Sequence, residues 1–331
     1  MSFKSDERQY QLDWKGRTKT LSVEALRPGV YTGPPDGHES NRDEMFLHEA
    51  HSEENLLPFV RREALDIFQR ADIDWHDSAD NRRPSNYLLD SMVSCVNCLM
   101  PFANDGVALA RLFLPLVPNA VEALPVEDSR MLSFEWMGVD NPLGETSRKR
   151  KRGSHGTSVD VFCVLKRADG GHTGLLVEWK YTESYPKDKQ EHGHHYVPLL
   201  EAADGPVDLA QCGDATVLFV NPLYQLARQQ LLAQATERGR VFGCDRVMVV
   251  VVVPEGNLGY RGHVPAAALR RRFPGLSLAD VWTRLLRRPD RFALISFDRL
   301  LANFHDDAFP TIAPALQEMR ARYFRGGFGG E

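Results

Sequence analysis

The stretch TSVDVFCVLKRADGGHTGLLVEWKY, residues 157–181, decides how this chain folds. Residues 158–165 and residues 173–181 are rich in valine, leucine and aromatic side chains, which favours two short β-strands. The Ala-Asp-Gly-Gly sequence between them is typical of a turn-forming loop. The pattern therefore predicts a hairpin of two neighbouring strands.

Three polar side chains interrupt this apolar hairpin: Asp160 in the first strand, and Glu178 and Lys180 in the second. Because strand side chains alternate between faces, Glu178 and Lys180 project together. If Leu165 pairs with Thr173 across the loop, Asp160 falls opposite Glu178, with their Cβ atoms about 5 Å apart. Two carboxylates that close repel each other unless one is protonated or a cation lies between them. A hard divalent cation such as Mg²⁺, which prefers carboxylate oxygens, is the simplest solution.

The residues around these acids resemble a known signature. Asp160, the 17 residues after it and the Glu-Trp-Lys tripeptide that begins at Glu178 are similar to the motif of the PD-(D/E)xK nucleases, the restriction-endonuclease-like superfamily. Val159 stands where the name of the motif has proline. The resemblance covers about residues 130–300. It implies an α/β fold with a mixed central sheet flanked by helices, a divalent metal held by the acids, and a nuclease activity.

An ordinary hairpin with one charged face is the alternative interpretation. In that case Asp160 and Glu178 would pair with Lys180 and bind no metal. Aspartate and glutamate are depleted in strands, and both flanks of this hairpin are apolar enough to be buried. These observations favour the nuclease signature.

A third acid that precedes the aspartate strand is a further expectation of the resemblance. Residues 131–137 alternate like a strand and place Glu135 on the face opposite its two aromatic neighbours. Glu135 is the candidate by position, and Glu122 and Glu145 remain alternatives. The resemblance also implies that a helix after the core strands supplies a Gln or Lys to the pocket. Residues 222–238 form a helical pattern in which Gln225 or Gln229 fits that role, or is simply a surface residue.

Five consecutive cations precede the hairpin. They are Arg148, Lys149, Arg150, Lys151 and Arg152. Such a run repels itself, which predicts a mobile loop in the free protein. Its place eight residues before Asp160 makes phosphate contacts with nucleic acid the better interpretation, against a merely solvated loop. Residues 270–291 add a second arginine-rich region.

Composition sets the wider limits. With 331 residues, 43% of them hydrophobic and 26% charged, the chain reads as an ordinary globular protein. It has no apolar run of about 18 residues and no signal peptide, so we expect no membrane association and a cytoplasmic location. Its five cysteines favour reduced core thiols over disulfides. The net charge of −5 neither indicates nor excludes nucleic-acid binding.

The order of patterns along the chain predicts four segments. These are an irregular leader over residues 1–42, a mainly helical region over 43–130, the nuclease-like core over 131–325 and a flexible tail over 326–331. The uninterrupted apolar run at residues 246–254 predicts a central strand covered on both faces.

The functional hypothesis is a Mg²⁺- or Mn²⁺-dependent nuclease, with DNA the favoured substrate. In it Asp160 and Glu178, with Glu135, hold the metal. Lys180 assists the attacking water or neutralises developing negative charge. The alternative is a catalytically silent nucleic-acid-binding or protein-interaction module on the same fold, and a hydrolase with another substrate is a third reading. A homodimer is also compatible with the resemblance, since many such nucleases pair to cut two strands.

Overall fold

A mixed β-sheet with helices on both faces forms the centre of the protein in a computed structural model. The structure describes residues 2–32, 42–75, 82–145, 150–153, 156–185, 187–302 and 304–324. The six strands are β1 (Ala120–Leu124), β2 (Ser133–Trp136), β3 (Val159–Arg167), β4 (His172–Trp179), β5 (Cys244–Val252) and β6 (Phe292–Ile295). Their order is β1-β3-β4-β5-β6, and β2 also pairs with β3. The predicted α/β class with a mixed central sheet is confirmed.

Strand direction changes within the sheet at β4. The β3–β4 pair is antiparallel, as a hairpin must be, whereas β4–β5 and β5–β6 are parallel. The parallel pairs need long crossovers, which the helices between β4 and β6 supply. Strand β5 lies between two neighbours and its last six residues are all buried, as predicted from its apolar run.

Twelve α-helices lie in the described residues. They are α1 (Phe3–Arg17), α2 (Pro58–Arg70), α3 (Ser91–Leu99), α4 (Gly106–Leu112), α5 (Val197–Glu201), α6 (Leu209–Cys212), α7 (Leu223–Arg238), α8 (Leu258–Arg261), α9 (Ala267–Arg272), α10 (Leu278–Leu285), α11 (Phe297–Leu301) and α12 (Ala313–Tyr323). A 3₁₀ segment, Glu49–Asn55, precedes α2. None of the helices in the described part of the chain is long and apolar enough to cross a membrane.

Alternation along β3 and β4 divides the apolar residues between two cores. One core joins Val161 and Val177 to the helices of the first half of the chain and to α12. The other joins Phe162 and Leu176 to α7 and α10. Both faces of the hairpin are therefore covered, and this excludes water from most of its length.

The prediction of an irregular leader over residues 1–42 is wrong for its first part. Residues Phe3–Arg17 form α1, with Ser2 as its N-cap. The helix escapes a search for hydrophobic periodicity because it buries the polar residues Glu7, Gln11 and Lys15 together with Trp14.

Residue 130 does not separate a helical region from a sheet. Strand β1 lies before it and pairs with β3, Ala123 opposite Leu165. The sheet therefore draws on both predicted segments. The predicted tail over residues 326–331 lies outside the described residues.

A buried polar network joins α1 and α12 to the chain just beyond β4. The Tyr181 hydroxyl donates to Glu7 Oε2 (2.8 Å) and accepts from Gln11 Nε2 (3.0 Å). The Arg322 guanidinium, wholly buried, donates to Gln11 Oε1 (3.2 Å) and to the Asn55 carbonyl oxygen (2.5 Å). Tyr181 directly follows Lys180, so this network braces the end of β4, the strand that carries Glu178.

Candidate active site

The hairpin has the predicted register. Leu165 lies opposite Thr173 and Val161 lies opposite Val177, so the next step along both strands brings Asp160 beside Glu178. Oδ2 of Asp160 accepts a hydrogen bond from the Trp179 backbone N–H at 2.5 Å. This bond fixes the carboxylate at the point where β4 ends.

Glu135 reaches the same place from the other side of β3. In the β2–β3 pair, Phe134 lies opposite Val161 and Trp136 opposite Val159, which leaves Glu135 beside Asp160. Its φ of +47° is a left-handed backbone conformation that a non-glycine residue adopts only at a cost of about 1–3 kcal/mol. The carboxylate is 2% exposed and accepts from the Ser158 hydroxyl at 2.8 Å. Three carboxylates thus line up across three adjacent strands.

The other two candidates for the third acid have different partners. Glu122 pairs with Lys166 at 3.1 Å. Glu145 accepts from the Thr157 backbone N–H at 3.0 Å and from the Tyr196 hydroxyl at 2.6 Å. Burial opposes the charge of Glu145, but these donors hold its pKa below the ordinary value.

Glu178 is surrounded by donors. Its Oε1 accepts from Lys180 Nζ and from Gln225 Nε2, each at 2.6 Å. Its Oε2 accepts from Gln229 Nε2. Glu178 is 3% exposed and Gln229 is wholly buried. Both predicted glutamines of the α7 helix therefore reach the carboxylate, but in this state they hold Glu178 rather than face nucleic acid.

Burial and neighbouring charges shift the pKa values of Asp160 and Lys180. Burial raises the pKa of Asp160 well above its usual range, and the nearby Glu178 and Glu135 carboxylates raise it further. Burial opposes the charge of Lys180, but Glu178 beside it keeps the Lys180 pKa well above the ordinary lysine value. The ion pair with Glu178 thus favours the ammonium form of Lys180.

A cavity of about 300 Å³ gives access to these groups, and Glu135, Asp160, Glu178 and Lys180 all line it. The opposite wall is the first turn of α3, where Asp90 is the N-cap and accepts from the Val93 N–H at 2.7 Å. Asp90 is a fourth carboxylate of the cavity that sequence reasoning missed. The signal was an aspartate directly before the apolar run of α3, which is an N-cap pattern, but nothing local places that cap at the hairpin.

The donor set suits a hard divalent cation. Carboxylate oxygens from Asp160, Glu178 and Glu135 are the ligands that Mg²⁺ and Mn²⁺ prefer. Gln229 Oε1 is buried and has no hydrogen-bond partner within the described residues. As the side chains stand, no three His, Cys, Asp or Glu residues of the described chain form a ready metal cage. Lys180 and the two glutamines occupy the oxygens of Glu178, so a metal would have to displace Lys180.

The basic run is not the free loop that the sequence predicts, as far as the structure describes it. Arg148 and Lys149 lie outside the described residues. Lys151 pairs with Asp74 at 2.5 Å and with Asp72 at 3.3 Å.

Arg150 and Arg152, on either side of Lys151, also bind groups within the protein. Arg152 pairs with Glu127 and donates to the Phe134 carbonyl oxygen at 2.9 Å. Arg150 donates to the Met137 carbonyl oxygen. The charges of Lys151 and Arg152 are thus neutralised by acids distant in sequence, and the phosphate contacts predicted for them are not supported.

The cysteines behave as core residues. Cys95 and Cys98 lie on α3, and burial raises the pKa of both thiols well above the ordinary value. All five are buried free thiols: Cys95, Cys98, Cys163, Cys212 and Cys244.

Comparison with known families agrees with this geometry. The model of the family described as restriction endonuclease associating with ARP matches residues 24–324. No curated protein and no solved structure matches the chain. Because the match spans nearly the whole chain and includes every acid of the cavity, the protein belongs to this restriction-endonuclease family.

Proposed function

We propose that the protein is a metal-dependent nuclease that hydrolyses phosphodiester bonds, with DNA the favoured substrate. One observation carries the proposal: Glu135, Asp160 and Glu178 meet across three strands with Lys180, in a cavity open to solvent. Carboxylates buried side by side are costly, and titratable groups perturbed in this way cluster at functional sites. Membership of a restriction-endonuclease family supports the same reaction class.

Asp160, Glu178 and Glu135 would hold one or two Mg²⁺ or Mn²⁺ ions. Bound metal in such a site supplies an acidic water and stabilises negative charge on the scissile phosphate. The protein's own contribution is to hold its carboxylates in place. The Trp179 N–H does this for Asp160, and the Ser158 hydroxyl does it for Glu135.

Lys180 would change partner when the site is loaded. Its ammonium lies 2.6 Å from Glu178 Oε1 and balances that carboxylate in the metal-free protein. With Glu178 engaged by a metal, the ammonium is free to donate to a phosphate oxygen and to stabilise the transition-state charge. Gln225 and Gln229 keep hold of Glu178 throughout and set its orientation.

A protein-interaction function on the same fold is the second candidate. The description of the family names an association with ARP, and both oxygens of Glu178 already have protein donors. We propose that binding of such a partner accompanies the nuclease activity and does not replace it, because the acids, the lysine and the cavity are all present. A homodimer stays a prediction that sedimentation with and without DNA would test.

A cleavage assay tests the proposal. Supercoiled plasmid, linear duplex, single-stranded DNA and RNA are incubated with Mg²⁺, Mn²⁺ or EDTA. Wild type is compared with Glu178→Gln, which keeps the shape of the side chain, and with Glu122→Gln, a matched control on β1 away from the cavity. We expect metal-dependent cleavage that Glu178→Gln abolishes and Glu122→Gln retains. Absence of cleavage on every substrate, with nucleic-acid binding unchanged by Glu178→Gln, would leave the interaction function.

A further inference from the structure

A second cavity, of about 130 Å³, lies against a different face of α7 from the one that meets Glu178. Gln230, Pro206, Val247 and Arg287 are among its walls, and none of them lines the cavity of the acids. Gln229 and Gln230 are neighbours on α7, and one residue turns a helix by about 100°. Gln229 therefore reaches Glu178 while Gln230 points into the second cavity.

Gln230 has an unmet hydrogen-bonding demand. It is 4% exposed, and its Oε1 has no partner among the described residues. A buried amide oxygen without a partner is costly, so such groups are normally satisfied by protein, water or a ligand. The other end of the same side chain, Nε2, is a donor. A carboxamide presents a donor and an acceptor side by side, which matches the edge of a nucleobase.

Arginines form the mouth of this cavity, and the nearby carboxylates neutralise some of their charges but not all. Glu237 binds Arg291 at 2.9 Å and also pairs with Arg288. Asp204, which also lines the cavity, pairs with Arg238.

Arg287 is the exception among these arginines. It is exposed, and within the described chain its guanidinium has neither an ion pair nor a hydrogen bond. Of the other arginines in its segment, Arg270 pairs with Asp188, and Arg288 and Arg291 pair with Glu237. An anion is therefore favoured at the mouth, next to Arg287.

We propose that this cavity binds a nucleoside phosphate. The base would lie between Pro206 and Val247 with its edge on Gln230, and the phosphate would lie on Arg287. A cavity of roughly 150 Å³ encloses a benzene ring, so this one, of about 130 Å³, would take the edge of the base while the rest of the base and the sugar lie in the open mouth. Arginine matches phosphate oxygens with paired N–H donors. The nucleotide can be a free ligand or one unit of a bound strand, since both present the same base edge and phosphate.

Calorimetric titration of the full chain tests the proposal. The probes are AMP, CMP, inorganic phosphate and a short 5′-phosphorylated oligonucleotide. The variants are Gln230→Leu, which removes both polar ends at similar volume, and Arg287→Ala at the exposed mouth. Arg271→Ala, an exposed arginine of the same segment, is the matched control. Asp160→Asn separates this site from the cavity of the acids.

We expect Gln230→Leu and Arg287→Ala each to weaken binding of a mononucleotide at least tenfold, with Arg271→Ala and Asp160→Asn close to wild type. If the same loss occurs with the oligonucleotide alone, the nucleotide belongs to a bound strand. Inorganic phosphate binding as tightly as AMP and unaffected by Gln230→Leu would overturn the proposal. The proposal would also be overturned if neither substitution, at Gln230 or at Arg287, weakened the binding of any probe. None of these outcomes depends on cleavage activity.

Discussion

Replacing Asp160 with asparagine should stabilise the metal-free protein and abolish cleavage. Asp160 lies between Glu135 and Glu178 on adjacent strands. Two unit charges about 5 Å apart repel by roughly 3 kcal/mol at an effective dielectric constant of about 20. Protonation of Asp160 and the charge of Lys180 reduce this, so we expect the free energy of unfolding to rise by about 1–3 kcal/mol. The Trp179 N–H keeps an acceptor, because asparagine retains one side-chain oxygen.

The size of this gain should depend on pH in one direction. Burial and the two neighbouring carboxylates raise the folded-state pKa of Asp160 above the unfolded value near 3.9. The stability contributed by its protonation is complete below that unfolded value and is lost as pH rises through the raised folded-state pKa. The Asp160→Asn protein does not lose this stability, so the difference between its free energy of unfolding and that of wild type should grow with pH across that window.

Urea denaturation with EDTA present, repeated over a series of pH values, measures both effects. Glu122→Gln removes a carboxylate that pairs with Lys166 outside the cavity and serves as the control. In a parallel thermal scan, added Mg²⁺ should raise the Tm of wild type but not that of Asp160→Asn. The reasoning is refuted if Asp160→Asn is less stable than wild type at every pH, or if it keeps the Mg²⁺-dependent rise.

Three further substitutions probe the neighbours of this site. Lys180→Met should abolish cleavage and lower metal-free stability by about 3 kcal/mol, because it leaves Glu178 buried without its cation. Adding Glu178→Gln should restore the Tm but not cleavage, and a Tm that stays low would contradict the pairing. Gln229→Leu should weaken Mg²⁺ activation of cleavage about 10–100-fold, since it removes a donor that orients Glu178. A metal titration with unchanged metal dependence would argue against that role. Arg152→Ala should lower stability by about 2 kcal/mol, since Glu127 loses its partner, without altering the salt dependence of DNA binding; a smaller salt slope would restore the phosphate-contact interpretation.

The hairpin could be predicted because its information is local. A short loop sets the register, so the pairing of Leu165 with Thr173 is enough to place Asp160 beside Glu178. The choice of Glu135 as third acid used the same alternation, and the structure brings Glu135 to Asp160 while Glu122 and Glu145 have other partners. What remains a prediction is that these residues bind metal and cleave a substrate.

The remaining parts of the site depend on contacts between distant segments. Asp90 enters the cavity because α3 crosses the end of the hairpin, and no pattern within α3 indicates this. The ion pairs of Lys151 and Arg152 could not be predicted because their acidic partners, Asp74 and Glu127, lie far from them in sequence. A count of charges along a sequence does not show which of them form ion pairs within the fold.

The buried network around Arg322 has a consequence for how the protein opens. Helices near chain ends usually exchange their amide hydrogens quickly, because they fray independently of the core. Here, detaching α12 would leave the acceptors on Gln11 and Asn55 buried without Arg322, and detaching α1 would remove Gln11 from both Arg322 and Tyr181. These two helices should therefore open only together with β4 and the residues that follow it to Tyr181, as one cooperative unit with slow amide exchange.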